Sequence, residues 1–286
     1  MLEVRGARHL VRGTKDPTSQ PIYIGRMTDL EREYSPSSRA GGSAEPFVAD
    51  WRARSCAASA SLGERVRELP GGSLWVEAGA RSPLFVFVHG GYWQALSAAD
   101  SMYLAPGALA AGWSFAALEY TIAPEGDLPT MVAEVSAALG ALAEVADPTS
   151  VVLAGHSAGA HLCAMSALVQ QPALRIDRVV LLSGVFDLRP IVMTSVNEPL
   201  GLDHDAACAS SPMLLPVACT PAVTVAWGDA DTDAFEAQSI AYAAVLRRAG
   251  AAVSELRCEH RNHFDIVDDL VDPRGRLGAA TLGGLA

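Results

Sequence analysis

The hydrophobic positions of this chain form short unbroken runs separated by longer segments of helical spacing. An apolar run too short for a helix is typical of a strand buried on both faces of a sheet. Helical periodicity in the intervals then favours a mainly parallel sheet with helices on both faces, which is the α/β class. The predicted strands are 84–88, 114–118, 151–154, 179–182 and 222–226, and the predicted helices are 128–146, 158–170 and 233–249.

The part of the chain before this alternating pattern is organised differently. Residues 1–45 are polar and rich in turn-forming residues, and they predict an arm that packs on a main domain of residues 46–286. A helix is predicted over 46–62, followed by a hairpin over 65–77 with a Pro-Gly-Gly turn. The segment 184–221 is longer than an ordinary connection, and we expect this insertion to lie near the active site.

Composition and charge exclude several classes of protein. Of the 286 residues, 50% are hydrophobic and 19% are charged, which is enough apolar surface for a large core and excludes wholesale disorder. The net charge of −11 argues against nucleic acid as a partner, because a phosphate backbone requires a dense basic face. The five cysteines are scattered and include no C-x-x-C pair, so we expect neither a disulfide framework nor a zinc cluster. No bound metal and no other cofactor are expected.

The expected location follows from the amino terminus and from one apolar stretch. The first residues lack the apolar region of a secretory signal, and we expect a cytoplasmic protein. Residues 151–169 resemble a membrane span in their apolar character, but Gly155, His156 and Gly159 interrupt them, so we expect no membrane partner. The sequence does not decide between a monomer and a homodimer.

Residues 151–159, with the sequence V-V-L-A-G-H-S-A-G, carry the most informative motif. A predicted strand runs into G-x-S-x-G and then into a helix of small residues, which is the context that a nucleophile elbow requires. Glycines are needed two residues before and after the serine because larger side chains would collide with neighbouring backbone. Ser157 is therefore predicted to be a nucleophile at the start of a helix.

A second motif, His89-Gly90-Gly91-Tyr92-Trp93, follows the predicted strand 84–88. Glycines leave backbone N–H groups uncovered, and such groups stabilise a tetrahedral oxyanion. The expected donors are the N–H groups of Gly90, Gly91 and Ala158.

The base and the acid should follow the nucleophile along the chain, in the order Ser, Asp or Glu, then His. His263 lies after the strand-like segment 252–257 and before a predicted last helix. It is the predicted base, with His260 as its rival. His156 and His161 flank the elbow in an apolar segment, where helix packing is expected. The pair His260-x-x-His263 is the best support for a metal mechanism, and no further ligand cluster accompanies it.

Three candidate acids follow the predicted strand 222–226, namely Asp229, Asp231 and Asp233. Spacing alone does not choose among them, although Asp233 is suited to cap the next helix. Asp187, after the preceding strand, is a weaker candidate.

The loop H-G-G-Y-W at 89–93 together with G-H-S-A-G at 155–159 resembles the serine-dependent arylformamidases, or kynurenine formamidases, of the α/β-hydrolase fold. Residues 33–37, 183–190 and 262–265 are similar to further parts of that family. The family pattern G-x-x-D-S-x-E-F, laid on Gly228–Phe235, puts the catalytic aspartate at Asp231. Thr232 and Ala234 replace the usual Ser and Glu, so Asp229 remains an alternative.

The resemblance implies a serine hydrolase that converts N-formyl-L-kynurenine to L-kynurenine and formate through Ser157, His263 and Asp231, without a cofactor. The small-molecule substrate is expected to contact residues of the two motifs, with His89, Tyr92, Trp93 and His156 as candidates. Acidic residues after the acid and the base are expected to disfavour a strongly anionic substrate.

Two other functions compete with this one. Residues 120–125, Y-T-I-A-P-E, are similar to a stretch of the hormone-sensitive-lipase-like carboxylesterases, which would act on small or aryl esters. A relative that binds without catalysis is the third hypothesis, and the intact nucleophile, glycine loop and histidine argue against it.

Overall fold

A twisted sheet of eight strands runs through the part of the chain that the computed structural model describes, residues 27–283. The strands are β1 (Arg67–Glu68), β2 (Leu74–Val76), β3 (Leu84–Val88), β4 (Ser114–Leu118), β5 (Val151–His156), β6 (Arg178–Leu182), β7 (Ala222–Gly228) and β8 (Val253–Cys258). Their order is β1-β2-β4-β3-β5-β6-β7-β8, in which β2 is antiparallel to β1 and β4 and all other neighbours are parallel. The predicted mainly parallel sheet is confirmed.

Helices cover both faces of this sheet. The α-helices of residues 27–283 are α1 (Met27–Glu33), α2 (Glu45–Leu62), α3 (Ala105–Ala110), α4 (Leu128–Val145), α5 (Ala158–Ala164), α6 (His204–Ala209), α7 (Asp233–Arg248) and α8 (Arg276–Leu282). Side chains of α4, α5 and α7 pack on one face, and those of α2, α3 and α8 pack on the other. Successive residues of β3 alternate between the two cores, with Val86 in the first and Phe87 in the second, as the period of a strand requires.

The centre of the sheet explains why the apolar runs are continuous. Strands β3, β4 and β5 are buried along their whole length, because helices lie on both of their faces. The helix α4 is the one in residues 27–283 that is long and apolar enough to cross a membrane, and a core helix passes the same test. Its apolar side chains belong to the core on one face of the sheet.

Two predicted helices differ from the structure. The helix predicted over 158–170 is α-helical to Ala164 and continues as a π-helix over Met165–Val169. There the Leu168 carbonyl accepts hydrogen bonds from the N–H groups of Ala218 and Cys219, which are distant in sequence. The helix expected after His263 is a 3-10 helix, Asp265–Val271, and α8 follows it.

A buried histidine joins α5 to the insertion. Nδ1 of His161 accepts a hydrogen bond from Trp93 Nε1 at 3.2 Å, and its Nε2 donates to the Ser210 carbonyl at 2.7 Å. One acceptor and one donor define the neutral imidazole. Burial lowers the pKa of His161 to about 4, so the ring stays neutral at physiological pH.

This histidine should make the protein less stable in acid. Its folded pKa of about 4 lies below the ordinary value of 6.5, so its contribution is complete above pH 6.5 and is lost as the pH falls towards 4. We expect His161 to account for about 2 kcal/mol of the unfolding free energy lost between about pH 7.5 and about pH 5. Urea unfolding of the wild type and of His161→Gln at both pH values measures it. An unchanged pH dependence in the variant would contradict this assignment.

Candidate active site

Ser157 occupies the turn between β5 and α5, at the carboxyl edge of the parallel strands. Its φ of 55° and ψ of −115° are strained for a residue with a side chain. A Cβ on Gly155 would lie 2.3 Å from the Gly159 carbonyl oxygen, and a Cβ on Gly159 would lie 2.1 Å from that of Val88. Both positions therefore require glycine, and the turn has the geometry predicted for a nucleophile elbow.

His263 is held in place by a buried carboxylate. Its Nδ1 donates to Oδ2 of Asp231 at 3.0 Å, and the aspartate side chain is fully buried. The second oxygen, Oδ1, accepts the N–H of Thr232 at 2.9 Å. The Phe235 ring packs edge-on against the imidazole, with centroids 4.6 Å apart. With a proton on Nδ1, Nε2 is the nitrogen that can accept one from another group.

The alternative acids and the rival histidine make other contacts. Asp229 accepts a backbone N–H of the histidine loop at 3.3 Å. Asp187 pairs with the arginine two residues further on, and Asp233 binds Arg39 at 2.7 Å. His260 is exposed on the surface. Within residues 27–283, no three His, Cys, Asp or Glu side chains form a metal-binding group.

One cavity of about 290 Å³ contains both reactive side chains. Ser157 and His263 line it, together with His156, Gly91 and Tyr92. Among the described residues, the Ser157 hydroxyl makes no hydrogen bond, so it is free to rotate towards the imidazole. Such contacts are often long without a substrate and tighten when one binds.

The glycine loop after β3 passes over the nucleophile. A Cβ on Gly90 would lie 3.3 Å from Cβ of Ser157. The Tyr120 hydroxyl donates to the carbonyl oxygens of His89 and Gly90, at 3.1 Å each. Because C=O and N–H point in opposite directions across a trans peptide, the N–H groups of Gly90 and Gly91 point away from Tyr120. The sequence prediction missed this orienting tyrosine, although it lies in the Y-T-I-A-P-E motif.

Ala158 supplies the third expected donor. It is the first residue of α5, and the first N–H groups of a helix have no partner within the helix. The helix dipole adds a partial positive charge at the same place. The glycine loop at Gly90 and the first residue of α5 therefore both adjoin Ser157.

Two of the four substrate-contact candidates do not line the cavity, and the prediction is corrected for them. His89 is buried and stacks on Tyr120 with ring centroids 4.2 Å apart. Trp93 is fully buried and donates to His161. Both residues are therefore part of the core and not of the cavity wall.

His156 lines the cavity and also supports the loop that carries the base. Its Nε2 donates to the His263 carbonyl at 2.8 Å. Burial, and secondarily the neighbouring His263, hold the pKa of His156 well below its ordinary value. The ring is therefore a neutral hydrogen-bond donor, and the contact restrains the backbone of the proposed base.

Other parts of the chain close the cavity. One wall consists of the segment Tyr34 to Ser37 together with Ala44, which caps α2, and Val48 and Trp51 of that helix. Val196, which belongs to the insertion predicted over 184–221, contributes to another wall. The walls are joined by hydrogen bonds: the Tyr92 hydroxyl donates to the Tyr34 carbonyl at 2.5 Å.

The same amino-terminal segment is bonded to the loop that carries Asp231. The Thr232 hydroxyl donates to the Glu33 carbonyl at 2.6 Å. The Glu33 carboxylate accepts the N–H of Ala234 at 3.3 Å, in the first turn of α7. Thr232 also occupies the helix-cap position expected for Asp233. In the family pattern this position is a Ser, and the Thr found here keeps the hydroxyl that makes the bond to Glu33.

Comparisons with known proteins agree with this architecture. The BD-FAE family model matches residues 75–246. The kynurenine formamidase of Danio rerio is 36% identical over 200 residues, which cover 66% of this chain and 68% of the relative. The kynurenine formamidase of Drosophila melanogaster is 32% identical over 205 residues, which also cover 66% of this chain and 68% of the relative.

Two solved structures are similar over most of the chain. A Silicibacter protein provisionally described as a thioesterase superposes with a TM-score of 0.79 and 34% identity, covering 88% of this chain and 98% of its own. An esterase of the bacterial hormone-sensitive lipase family superposes with a TM-score of 0.66, covering 91% of this chain and 97% of its own. At 22% identity, that second likeness shows the fold alone.

The fold and these matches define an α/β hydrolase, a serine hydrolase that acts on amide or ester bonds. Within that class, the chain belongs to the kynurenine formamidase, or arylformamidase, family. The fold class and the family predicted from the sequence are confirmed.

Replacing the buried carboxylate should separate Asp231 from Asp229. We expect Asp231→Asn to lower kcat by about 10³ to 10⁴-fold, because the imidazole loses the acceptor that fixes its tautomer. Asp229→Asn, the matched control, should stay within about threefold of the wild type, since its carboxylate contacts only a backbone N–H. Hydrolysis of nitrophenyl acetate measures both variants. Equal losses in the two variants would contradict the assignment of Asp231.

Thr232 should act as a positioning residue through the contact with Glu33. Thr232→Val keeps the shape and removes the donor, so we expect kcat to fall about tenfold with little change in KM, because the loop carrying Asp231 shifts. Thr232→Ser keeps the hydroxyl and should restore kcat. Steady-state measurement of kcat and KM for both variants tests this role of the Thr232 hydroxyl. A loss in Thr232→Ser as large as in Thr232→Val would mean that the methyl packing, and not the hydroxyl, matters.

Proposed function

We propose that this protein hydrolyses N-formyl-L-kynurenine to L-kynurenine and formate, with Ser157 as nucleophile, His263 as base and Asp231 as its partner. The observation that carries the proposal is the shared cavity, which is lined both by an elbow serine and by a histidine bonded to a buried aspartate. The kynurenine formamidases that resemble this chain support the choice of a formamide over other amides and esters.

In the first half-reaction, Ser157 Oγ attacks the formyl carbon while His263 Nε2 takes the hydroxyl proton. The carbonyl oxygen becomes an oxyanion, which the N–H groups of Gly90 or Gly91 and Ala158 stabilise by about 3 kcal/mol for each donor. The C–N bond then breaks, and His263 gives its proton to the aniline nitrogen. The amine leaves as kynurenine, and the formyl group remains esterified to Ser157.

In the second half-reaction, water attacks the formyl ester and gives a proton to His263. A second oxyanion forms on the same N–H groups. The ester bond breaks, the proton returns to Ser157 Oγ, and formate leaves. Asp231 accepts the Nδ1 hydrogen bond throughout, which keeps Nε2 directed at the reacting atoms.

An ester substrate is the second candidate. The esterase LipQ of Mycobacterium tuberculosis is 29% identical over 217 residues, and the same proposed triad would cleave an ester by the same steps. Efficient turnover of nitrophenyl esters without cleavage of the formamide would favour this candidate.

Purified protein with N-formyl-L-kynurenine tests the proposal directly. We expect release of kynurenine that a serine-directed inhibitor abolishes and a chelator leaves unchanged. Ser157→Ala should lower turnover by about three or more orders of magnitude. Loss of activity with the chelator would point to a metal enzyme and overturn this mechanism.

Ser183→Ala is the matched control for the nucleophile variant. Ser183 also ends a parallel strand, β6, and also has a positive φ, 47°. Its buried hydroxyl has no hydrogen-bond partner among the described residues, and the side chain does not line the cavity. We therefore expect Ser183→Ala to keep the activity of the wild type.

A further inference from the structure

The lining that the described residues give the cavity at Ser157 carries no Asp, Glu, Lys or Arg side chain. Its ionisable side chains are two histidines and two tyrosines. His156 is held neutral by burial, and burial also raises the pKa of Tyr92 well above its ordinary value. Any positive charge on His263 has its counter-charge in Asp231, 3.0 Å away.

The charged side chains near the walls are bound to other partners. Glu31, just before the wall segment, binds the backbone N–H and the hydroxyl of Ser195. Arg39, just after it, binds Asp233 at 2.7 Å, and Arg54 of α2 donates to an aspartate of the 3-10 helix that follows His263 at 2.9 Å. The acidic residues after the base, which we expected to act on the substrate, are not among the lining residues.

A charged group that entered this cavity would lose water without gaining a counter-ion from the described lining residues. The penalty for burying an unpaired carboxylate or ammonium is several kcal/mol. The polar groups that remain in the walls are neutral, such as the half-buried Ser35 and Ser37. Hydroxyls of this kind can bind a ketone or another uncharged polar substituent.

We propose that the cavity binds only the uncharged aryl formamide part of a substrate and does not recognise an amino-acid head group. The inference rests on the proposed function and narrows it. An aryl ring with a neutral carbonyl substituent next to the formamide is the preferred class. The zwitterionic part of formylkynurenine stays outside in water and contributes nothing to binding.

Three compounds that share one aryl formamide test the inference. N-formyl-L-kynurenine carries the amino-acid head, 2-formamidoacetophenone keeps the ketone without the head, and 2-formamidobenzoate places a carboxylate of similar shape where the ketone was. We expect kcat/KM of the acetophenone to be at least about a third of that of formylkynurenine, since the removed head makes no contact. The benzoate should be at least about thirtyfold poorer than the acetophenone.

A larger loss on removal of the head, or a benzoate cleaved as well as the acetophenone, would overturn the inference. If no formamide is cleaved, the proposed function fails, and the selectivity is then read from inhibition. L-kynurenine, 2-aminoacetophenone and anthranilate would compete against nitrophenyl acetate hydrolysis. The neutral amine should inhibit at least as strongly as kynurenine and more strongly than anthranilate, and any other order would overturn the inference.

Discussion

Close backbone packing at the turn after β5 is the constraint on which the rest of the site depends. The Val88 carbonyl approaches Gly159 so closely that no side chain fits between them, and Gly155 is packed in the same way against the Gly159 carbonyl. This contact brings the end of β3 against the start of α5. The glycine loop, the start of α5 and Ser157 therefore lie close together at the carboxyl edge of the sheet, which is the arrangement that the proposed oxyanion donors require.

The remaining parts of the site come from distant segments and are joined by hydrogen bonds. Thr232 is bonded to Glu33, 199 residues earlier in the chain, and Glu31 is bonded to the insertion. Gln238 of α7 donates to the Tyr34 hydroxyl and to a carbonyl of the insertion. The wall that faces a substrate and the loop that carries Asp231 are thus parts of one hydrogen-bonded structure. A shift of the wall would also move the carboxylate that orients His263.

Features set by residues close together in the sequence were predicted correctly, and features set by contacts between distant segments were not. Strands β3 and β4 were predicted with their observed bounds, because burial on both faces leaves continuous apolar runs. The elbow was predictable because its constraint is local. The choice between Asp229 and Asp231 was not, since it depends on how a loop places three nearby carboxylates. The inward position of Trp93 was not predictable either, because it depends on a hydrogen bond to His161, 68 residues later in the chain.

The uncharged lining of the cavity favours the proposed chemistry, because fixed dipoles act more strongly where water and other charges are excluded. The chain carries a net charge of −11, yet none of the described acidic side chains lines the cavity. In the proposed reaction, the carbonyl oxygen of the substrate would become negatively charged when Ser157 attacks, next to a described lining that carries no acidic side chain. Fixed N–H dipoles interact more strongly with that charge in a poorly solvated site than in water. A permanent charge in the wall would attract water and compete for the same dipoles. On the proposed mechanism, a site that stabilises the transient oxyanion would therefore disfavour a substrate that brings its own charge.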